Sequence, residues 1–406
     1  MYGVDIADFS LEDLLRPDVL ADPYPFFRCL RHEDPVHEDP RGRGWMVSRY
    51  DDVAVVLGDR RFSAERVVRS QEREATLNPV QRALARQMLF LDPPDHTRLR
   101  NLFTKAFTPH RVEALRPQVA GMVTELLNSA EAAGGRIDFI QDFSVPLPVI
   151  VIAQMLGVPT AEWGRLRAWS VAFGKLISGR LLSAKESTEA QHGILAFMEY
   201  FRELIAERRQ RPSGDMLSDL IAAEEQGDRL SIEELIVNLI LLFAAGHGTT
   251  THLLGNGLLA LCRHPEQWKY LVSDLSLAPN AVNELLRYDG PVQATTREAL
   301  EDIPFADKTI RQGQRVTVLL GSANHDEERF QDPDRLDLRR SAIRPLSFGH
   351  GIHTCLGAAL ARMEAQVAFS ELARRFPKLE VTTDAPQRAP SIHFRGLQAL
   401  PILLCG

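Results

Sequence analysis

The chain has 406 residues, of which 45% are hydrophobic and 25% are charged, and its formal net charge is −7. This length allows a large buried core, and the composition is typical of a globular protein. The negative charge argues against a nucleic-acid-binding protein, which would carry a basic surplus. Four cysteines lie far apart without a CxxC pair, so a disulfide-rich secreted domain is excluded and a reducing cytosol is favoured.

The beginning of the chain carries no targeting signal. Residues 1–8 include neither a basic n-region nor an apolar h-region. The longest apolar stretch, around residues 235–245, is about half the ~20 residues that a membrane span needs, and Asn238 interrupts it. We therefore expect a soluble, cytoplasmic protein with no membrane partner.

Strands are predicted near both ends of the chain and helices between them. Residues 44–48 and 315–320 form short runs rich in β-branched and apolar residues, which indicates strands. From about residue 93 to residue 270, apolar residues recur at three- and four-residue spacing, which is typical of helices. The predicted fold class is therefore mainly α with minor β (α+β).

One predicted helix is unusually long. Ser231 and Glu234 form a capping box at its start, and helical character persists to about Arg263. About 33 residues at 1.5 Å each span roughly 50 Å, and the apolar middle predicts a path through the core. Residues 245–251, Ala-Gly-His-Gly-Thr-Thr-Thr, cost helical stability. Two explanations stay open: close helix packing, or a groove that admits a ligand.

Cys355 closes a glycine-rich loop, residues 348–357, directly before a helix-forming segment. Peptide N–H groups and the positive end of the helix dipole would favour the thiolate form of its sulfur. The interpretations are a buried structural cysteine, a nucleophile with a histidine base, or an axial ligand of haem iron. A haem needs a single protein sulfur, whereas zinc would need three or four ligands, so a lone cysteine suits haem better.

The loop resembles the haem-binding signature of the cytochrome P450 family. The matching positions are Phe348, Gly351, His353, Cys355 and Gly357. The resemblance extends along nearly the whole chain. It implies the cytochrome P450 fold, a triangular prism in which haem b is buried between the long central helix and the Cys loop. It also implies that Cys355 is the axial ligand of the iron.

The resemblance assigns four further residues to the haem propionates. His96 and Arg100 lie one turn apart on a predicted helix, and Arg297 and His353 occupy two more of the family's positions. Cationic donors facing two carboxylates would neutralise them. Without the Cys loop, His96 and Arg100 would be interpreted as an ordinary exposed basic face.

Glu284 and Arg287 match the family's ExxR pair. The bare spacing is uninformative because the chain repeats it elsewhere, at Glu38, Glu113, Glu162, Glu199 and Glu371. Only the pair at Glu284 lies between the long helix and the Cys loop. Arg335, in a segment that resembles the family's meander, is expected to complete a buried Glu–Arg–Arg network that holds the scaffold.

The small-residue segment of the long helix resembles the family's dioxygen groove, Ala-Gly-x-acid-Thr. Ala245 and Gly246 align with its first two positions, and Thr249 aligns with the conserved alcohol. Gly248 stands where the family usually has an acid that helps to carry protons. This is a departure from the family's pattern.

Three interpretations fit the missing acid at Gly248. Water relays protons through Thr249 or Thr250, a substrate group completes the relay, or the product does not depend on conventional oxygen insertion. His247 lies about 100° around the helix and should not simply replace the acid. We favour a relay by solvent or substrate, because Thr249 remains in place.

The resemblance also implies an apolar substrate pocket. Its expected residues are Phe90, Leu89, Leu242, Val292, Ala294, Thr295 and Phe394. The implied activity is monooxygenation: one oxygen atom of O2 enters a hydrophobic small molecule, as in secondary metabolism. The alternatives are coupling, desaturation or peroxide-dependent oxidation. A haem carrier or sensor without turnover would not need the threonine-lined groove.

Electrons are expected from a separate ferredoxin and ferredoxin reductase. The chain ends shortly after the haem segment, so residues 1–406 are expected to form one domain without a fused reductase, and the protein is expected to be a monomer. Candidate docking charges for an acidic carrier are Arg98, Lys105, Arg111 and Arg362.

The segment 171–192 is expected to form part of a mobile lid, with Gly174, Ser178 and Gly179 compatible with that role.

Overall fold

The computed structural model describes residues 6–65, 77–178, 182–225, 230–383 and 385–405. Helices account for 61% of the structure, which confirms the mainly α class. In the order of the described residues they are α1 (Pro17–Ala21), α2 (Tyr24–Glu33), α3 (Tyr50–Gly58), α4 (Pro79–Ala85), α5 (Asp95–Ala106), α6 (Pro109–Ala114), α7 (Arg116–Ala132), α8 (Pro146–Met155), α9 (Trp163–Ile177), α10 (Ala184–Gln210), α11 (Met216–Glu225), α12 (Ile232–Arg263), α13 (Pro265–Ser273), α14 (Ala278–Asp289), α15 (Leu320–Ala323) and α16 (Ala358–Arg375).

The strands are short and form three small sheets. They are β1 (Val36–Glu38), β2 (Trp45–Val47), β3 (Phe62–Ser63), β4 (Arg136–Asp138), β5 (Ala294–Ala299), β6 (Ile303–Phe305), β7 (Lys308–Ile310), β8 (Arg315–Leu319), β9 (Lys378–Val381) and β10 (Pro401–Cys405). The largest sheet has the order β1-β2-β8-β5-β3. The two strands predicted from the sequence, β2 and β8, are confirmed, and they pair in parallel with Trp45 opposite Val316.

Contacts between Cα atoms divide the chain into two compact units. Unit 1 comprises Met1–Phe62, Leu115–Leu147 and Thr249–Gly406, and unit 2 comprises Ser63–Ala114 and Pro148–Gly248. The single domain over residues 1–406 stays a prediction. Of the predicted lid in unit 2, residues 171–177 belong to α9 and residues 184–192 to α10, and Gly179 lies outside the described residues.

In unit 1 the large sheet separates two apolar clusters. Val316 and Val318 of β8 pack with Val53 and Val56 of α3, whereas Leu319 packs with the N-terminal helices. Neighbouring residues of a strand point to opposite faces, so β8 contributes to both clusters. The sheet is therefore buried on both sides.

Helix α12 confirms the predicted long helix. The capping box is formed, with the Ser231 N–H donating to Glu234 at 2.9 Å and the Glu234 N–H donating to the Ser231 hydroxyl at 3.2 Å. Counted over its full 32 residues, the helix is long and apolar enough to cross a membrane, unlike the shorter apolar stretch considered above. Its most apolar window is 56% buried inside the fold, which is typical of a core helix.

Glu364 is a buried carboxyl group on α16. Its exposed fraction is 1%, and its Oε2 has no hydrogen-bond partner among the described residues. Burial raises the pKa of this carboxyl from its ordinary 4.5 to about 8. As the pH rises, the carboxyl loses its proton at a lower pH in the unfolded chain than in the folded protein. The contribution of the protonated carboxyl to the free energy of unfolding is therefore complete below about pH 4.5 and is lost as the pH rises towards about 8.

Glu364→Gln is expected to remove this pH dependence, because the amide cannot ionise. At pH 8 the variant should exceed the wild type in free energy of unfolding by about 3 to 5 kcal/mol, and at pH 5 by less than about 1 kcal/mol. Urea unfolding of both proteins at pH 5, 6, 7 and 8 measures the difference. The control is Glu371→Gln on the same helix, whose partly exposed carboxylate pairs with Arg374. Parallel curves for wild type and Glu364→Gln would contradict the prediction.

Candidate functional site

The Cys355 loop in unit 1 is held by its own backbone. The Cys355 N–H donates to the Phe348 carbonyl at 2.8 Å, and α16 begins three residues later at Ala358. Gly351 has a φ of +72°, and a Cβ there would lie 2.9 Å from the Leu57 carbonyl oxygen. Only glycine satisfies both conditions without strain. The loop therefore presents the cysteine in one defined conformation, with its side chain exposed.

Arg362 on α16 contacts the same loop. Its guanidinium lies 4.4 Å from the centroid of the Phe348 ring, and its Nε donates to Asn283 at 2.9 Å. Two other predicted docking charges, in unit 2, also have partners: Arg98 donates to Glu234 at 3.3 Å, and Arg111 pairs with Asp219. Arg98 and Arg362 make partly buried contacts and Arg111 makes a surface ion pair, so a docking role for these three arginines stays a prediction.

Cys355 differs from the other cysteines that the structure describes. Cys262 is largely buried, and desolvation raises the pKa of its thiol to about 12, which excludes a thiolate there. Cys29 is exposed on α2, away from any glycine-rich loop. In the described ranges no three histidine, cysteine or acidic side chains group into a metal site. A lone exposed sulfur fits an iron that brings its own equatorial ligands, as haem does.

The predicted propionate donors are placed as follows. In unit 2, His96 and Arg100 lie one turn apart on α5, where His96 is buried and Arg100 is partly buried. In unit 1, Arg297 is buried on β5, and His353 is partly buried in the Cys355 loop. A buried guanidinium requires compensating partners, so Arg297 differs from an ordinary exposed basic side chain, and the buried His96 does not form an exposed basic face either. This side-chain chemistry fits an anionic group.

The buried network around Glu284 contains a different third member from the one predicted. Arg287 donates to both Glu284 oxygens at 2.8 and 2.7 Å, and Arg340 donates to Oε1 at 3.1 Å. The prediction of Arg335 is wrong: its side chain is exposed, and only its carbonyl oxygen takes part, accepting from Arg287 at 3.1 Å. The turn at Asp332, with a φ of +46°, precedes this inward-facing carbonyl.

Helix α12 has one accessible stripe in its buried middle. Between Leu235 and Leu261, every residue is buried except Ala245, Gly246, Gly248, Thr249 and His252. At 100° per residue, four of these five fall within about 100° of arc, and Gly246 lies at the edge. The residues predicted to line the groove therefore share one face that is open.

The two glycines of the stripe have different reasons for being glycine. A Cβ at Gly246 would lie 3.2 Å from the Ile152 side chain on α8, so this glycine allows close helix packing. A Cβ at Gly248 would meet no heavy atom within 4 Å. Of the two explanations left open by the sequence, close packing applies to Gly246 and an open groove to Gly248.

His247 and Thr250, predicted among the catalytic residues, are buried outside the stripe. His247 Nδ1 lies 3.0 Å from the Phe243 carbonyl and 3.3 Å from the Ser170 hydroxyl. Burial lowers the pKa of this imidazole to about 4, so it is neutral at physiological pH. His247 is therefore directed at α9 and does not replace the missing acid at Gly248.

The predicted pocket residues also fall in both units. In unit 2, Leu89 and Phe90 belong to a short 3₁₀ turn next to Gln87, which donates to the Val237 carbonyl at 3.0 Å. Leu242 lies five residues further along α12. In unit 1, Val292 forms a β-bridge with Phe394.

Strand β5 separates the last two predicted pocket residues. The prediction of Ala294 is wrong, because its side chain lies in the cluster of Phe9, Phe26 and Leu319. Thr295, the next residue on the strand, points to the opposite face and is partly exposed. Thr295 therefore remains a candidate pocket residue.

Two residues of interest were missed from the sequence. Arg340 lies five residues beyond Arg335 in a segment without regular structure, so no periodicity could have selected it. His252 is seven residues after Ala245 and three after Thr249, which places it on the same helix face. Helical periodicity alone could have identified it.

Comparison with known proteins gives one consistent family. Residues 175–401 match the family model for cytochrome P450. Cytochrome P450 CYP107DY1 of Priestia megaterium is 39% identical over 97% of this chain and 99% of its own length. Cytochrome P450 monooxygenase PikC of Streptomyces venezuelae is 39% identical over 96% and 92%. The crystal structure of CalO2 has a TM-score of 0.91 at 35% identity and covers 97% of this chain and 98% of that one.

Proposed function

The chain belongs to the cytochrome P450 family, and on that premise we propose that it is a monooxygenase that inserts one atom of O2 into a hydrophobic small molecule of secondary metabolism. The family's fold is shared, and its members are oxidoreductases that bind haem through a cysteine thiolate. The observation that carries the proposal is the exposed Cys355, held in a glycine-dependent loop directly before α16. The open stripe on α12 supports it.

In this proposal, Cys355 holds the haem iron, and the cationic residues His96, Arg100, Arg297 and His353 hold its propionates. Bound haem would supply the redox chemistry that activates O2. The protein residues orient the substrate and deliver protons. The Thr249 hydroxyl on the open stripe can accept a proton from water and donate its own into the groove.

Hydroxylation or epoxidation fits the predicted pocket residues, which are apolar apart from one hydroxyl: Phe90 and Leu242 in unit 2, and Val292, Thr295 and Phe394 in unit 1. Leu242 and Phe90 are buried, and Val292, Thr295 and Phe394 are partly accessible. Such a lining orients a substrate by shape and offers it few hydrogen bonds. The substrate is therefore expected to be apolar.

The second candidate function is coupling, desaturation or peroxide-dependent oxidation by the same haem site. Gly248 favours it, because glycine cannot donate or hold a proton where the family usually has an acid. Thr249 argues for the first candidate, since its hydroxyl is on the accessible stripe.

The electron donor we propose is a ferredoxin with its reductase, and we propose a cytoplasmic monomer. Four scattered cysteines and a net charge of −7 support a soluble protein of a reducing compartment. Lys105 is exposed on α5 and remains a candidate contact for an acidic carrier.

Turnover under heavy oxygen, ¹⁸O₂, separates monooxygenation from coupling and desaturation. The holoenzyme is incubated with a ferredoxin, its reductase and a ligand that shifts the spin state of the iron. The mass of the product is then measured by mass spectrometry. Incorporation of one heavy oxygen atom is the expected result. A product without heavy oxygen would favour coupling or desaturation.

Gly248→Glu is expected to raise the product formed per NAD(P)H consumed, by about tenfold if proton delivery limits coupling, which lies below the 10²–10⁴-fold effect of a full general acid. A Cβ at Gly248 would meet no heavy atom within 4 Å, so the added side chain causes no clash where it leaves the helix. Thr249→Ala should raise peroxide release instead. The measurement is the ratio of product and peroxide to NAD(P)H consumed. Unchanged ratios in both variants would contradict a proton relay at this stripe.

A further inference from the structure

The stripe on α12 contains one titratable side chain. Ala245, Gly246 and Gly248 have no group that can carry a proton, and Thr249 only exchanges one. His252 is the fifth residue of the stripe and is partly accessible, whereas its neighbours Thr251 and Leu253 are buried. Residues three apart on a helix are neighbours, with Cβ atoms about 5 to 6 Å apart. His252 is therefore next to Thr249 on the accessible face.

Gly396 fixes how the His252 ring lies. A Cβ at Gly396 would be 1.9 Å from His252 Nδ1 and 2.2 Å from Cε1, so the ring occupies the space that any side chain there would need. This edge of the ring lies against the backbone of the turn that carries Phe394. Nε2 therefore lies on the part of the ring away from Gly396.

The charges around this turn are paired with one another. Arg395 donates to Asp289 at 2.6 Å, and Arg388 donates to the same carboxylate at 2.8 Å. Asn256, one turn beyond His252 on α12, donates to the Arg395 carbonyl at 2.9 Å. The remaining titratable group of the turn is His393, whose carbonyl accepts from the Gln293 N–H at 2.8 Å. The two arginine charges are thus directed at Asp289.

We propose that His252 holds the proton that the missing acid at Gly248 would otherwise supply. His252 acts through the Thr249 hydroxyl and does not itself touch the reacting atoms, so it is a positioning residue that holds a proton next to Thr249. The protonated imidazole gives its Nε2 proton, directly or through one water, to the Thr249 hydroxyl, which passes its own proton into the groove. The neutral imidazole then takes a proton from solvent, so charge balances and no electrons move. The proposal rests on the haem-thiolate function proposed above.

The test uses carbon monoxide as a probe of the reduced holoenzyme. The infrared C–O stretching band is recorded from pH 5.5 to pH 8.5. In the wild type we expect two components whose ratio changes about tenfold per pH unit around one midpoint, because a single histidine titrates beside the groove. His252→Asn should show one component at every pH. Gly396→Ala, which displaces the ring without removing it, should move the midpoint.

His264→Asn is the matched control, since His264 follows the C-terminal end of the same helix and its Nδ1 bonds the Ala260 carbonyl at 2.8 Å. This variant should keep the wild-type titration. A titration that persists unchanged in His252→Asn would overturn the role of His252. A wild-type holoenzyme without thiolate-type CO absorption would instead refute the haem-thiolate function, and His252 with it, so the two failures are distinguishable.

Discussion

Cys355→Ala is expected to abolish thiolate ligation, so that the reduced, CO-bound protein loses its absorption band at about 450 nm and turnover falls to background. Cys355 is the exposed sulfur in the glycine-dependent loop, and Cys262 is excluded as a thiolate by its buried thiol. The loop itself should survive, because the bond from the residue 355 N–H to the Phe348 carbonyl does not involve the side chain. We expect the haem-free variant to unfold within about 0.5 kcal/mol of the haem-free wild type.

Cys29→Ala is the matched control for that substitution. Cys29 is also exposed, but it lies on α2 outside the loop, so its replacement should leave both the CO spectrum and the turnover unchanged. Iron content, CO-difference absorption and urea unfolding are measured on the three proteins together. A Cys355→Ala protein that retained the band would show that another residue ligates the iron.

Arg287→Ala is expected to lower the free energy of unfolding by about 3 to 5 kcal/mol. Its side chain is fully buried and makes bonds to Glu284 together with three carbonyl oxygens, those of Asn324, Pro333 and Arg335. Removing it leaves the buried Glu284 carboxylate with Arg340 as its remaining arginine. Arg287→Lys should cost less, since an ammonium keeps the charge but not the forked geometry.

Arg335→Ala and Arg340→Ala are the controls that separate the observed network from the predicted one. The Arg335 side chain is exposed and its carbonyl oxygen is retained in alanine, so this variant should unfold within about 0.5 kcal/mol of the wild type. Arg340→Ala should be clearly destabilised, because its Nε bonds Glu284. Equal losses in Arg335→Ala and Arg340→Ala would contradict the observed pairing.

The parts of the site that local sequence determines were predicted well. The capping box at Ser231 and the strand character of residues 45–47 and 315–319 depend on residues close in sequence, and the structure confirms both. The Cys355 loop is also local, since Gly351 and the start of α16 lie within a few residues of the sulfur. Such features need no knowledge of distant packing.

The errors concern residues whose orientation depends on distant parts of the chain. Whether Arg335 or Arg340 reaches Glu284 is decided by an irregular turn, which spacing does not specify. Ala294 and Thr295 are adjacent, and the N-terminal cluster around Phe9 decides which of them is buried. The sequence left close packing and an open groove as alternatives for residues 245–251, and distant contacts decide between them: Ile152 lies against Gly246, whereas Gly248 is open.

The central claim is that Cys355 makes this chain a haem-thiolate protein. The most direct measurement is the CO-difference spectrum of the reduced wild-type holoenzyme. The predicted result is a band at about 450 nm that disappears in Cys355→Ala and persists in Cys29→Ala. A band at the shorter wavelength of histidine-ligated haem, or a band that does not depend on Cys355, would contradict the claim.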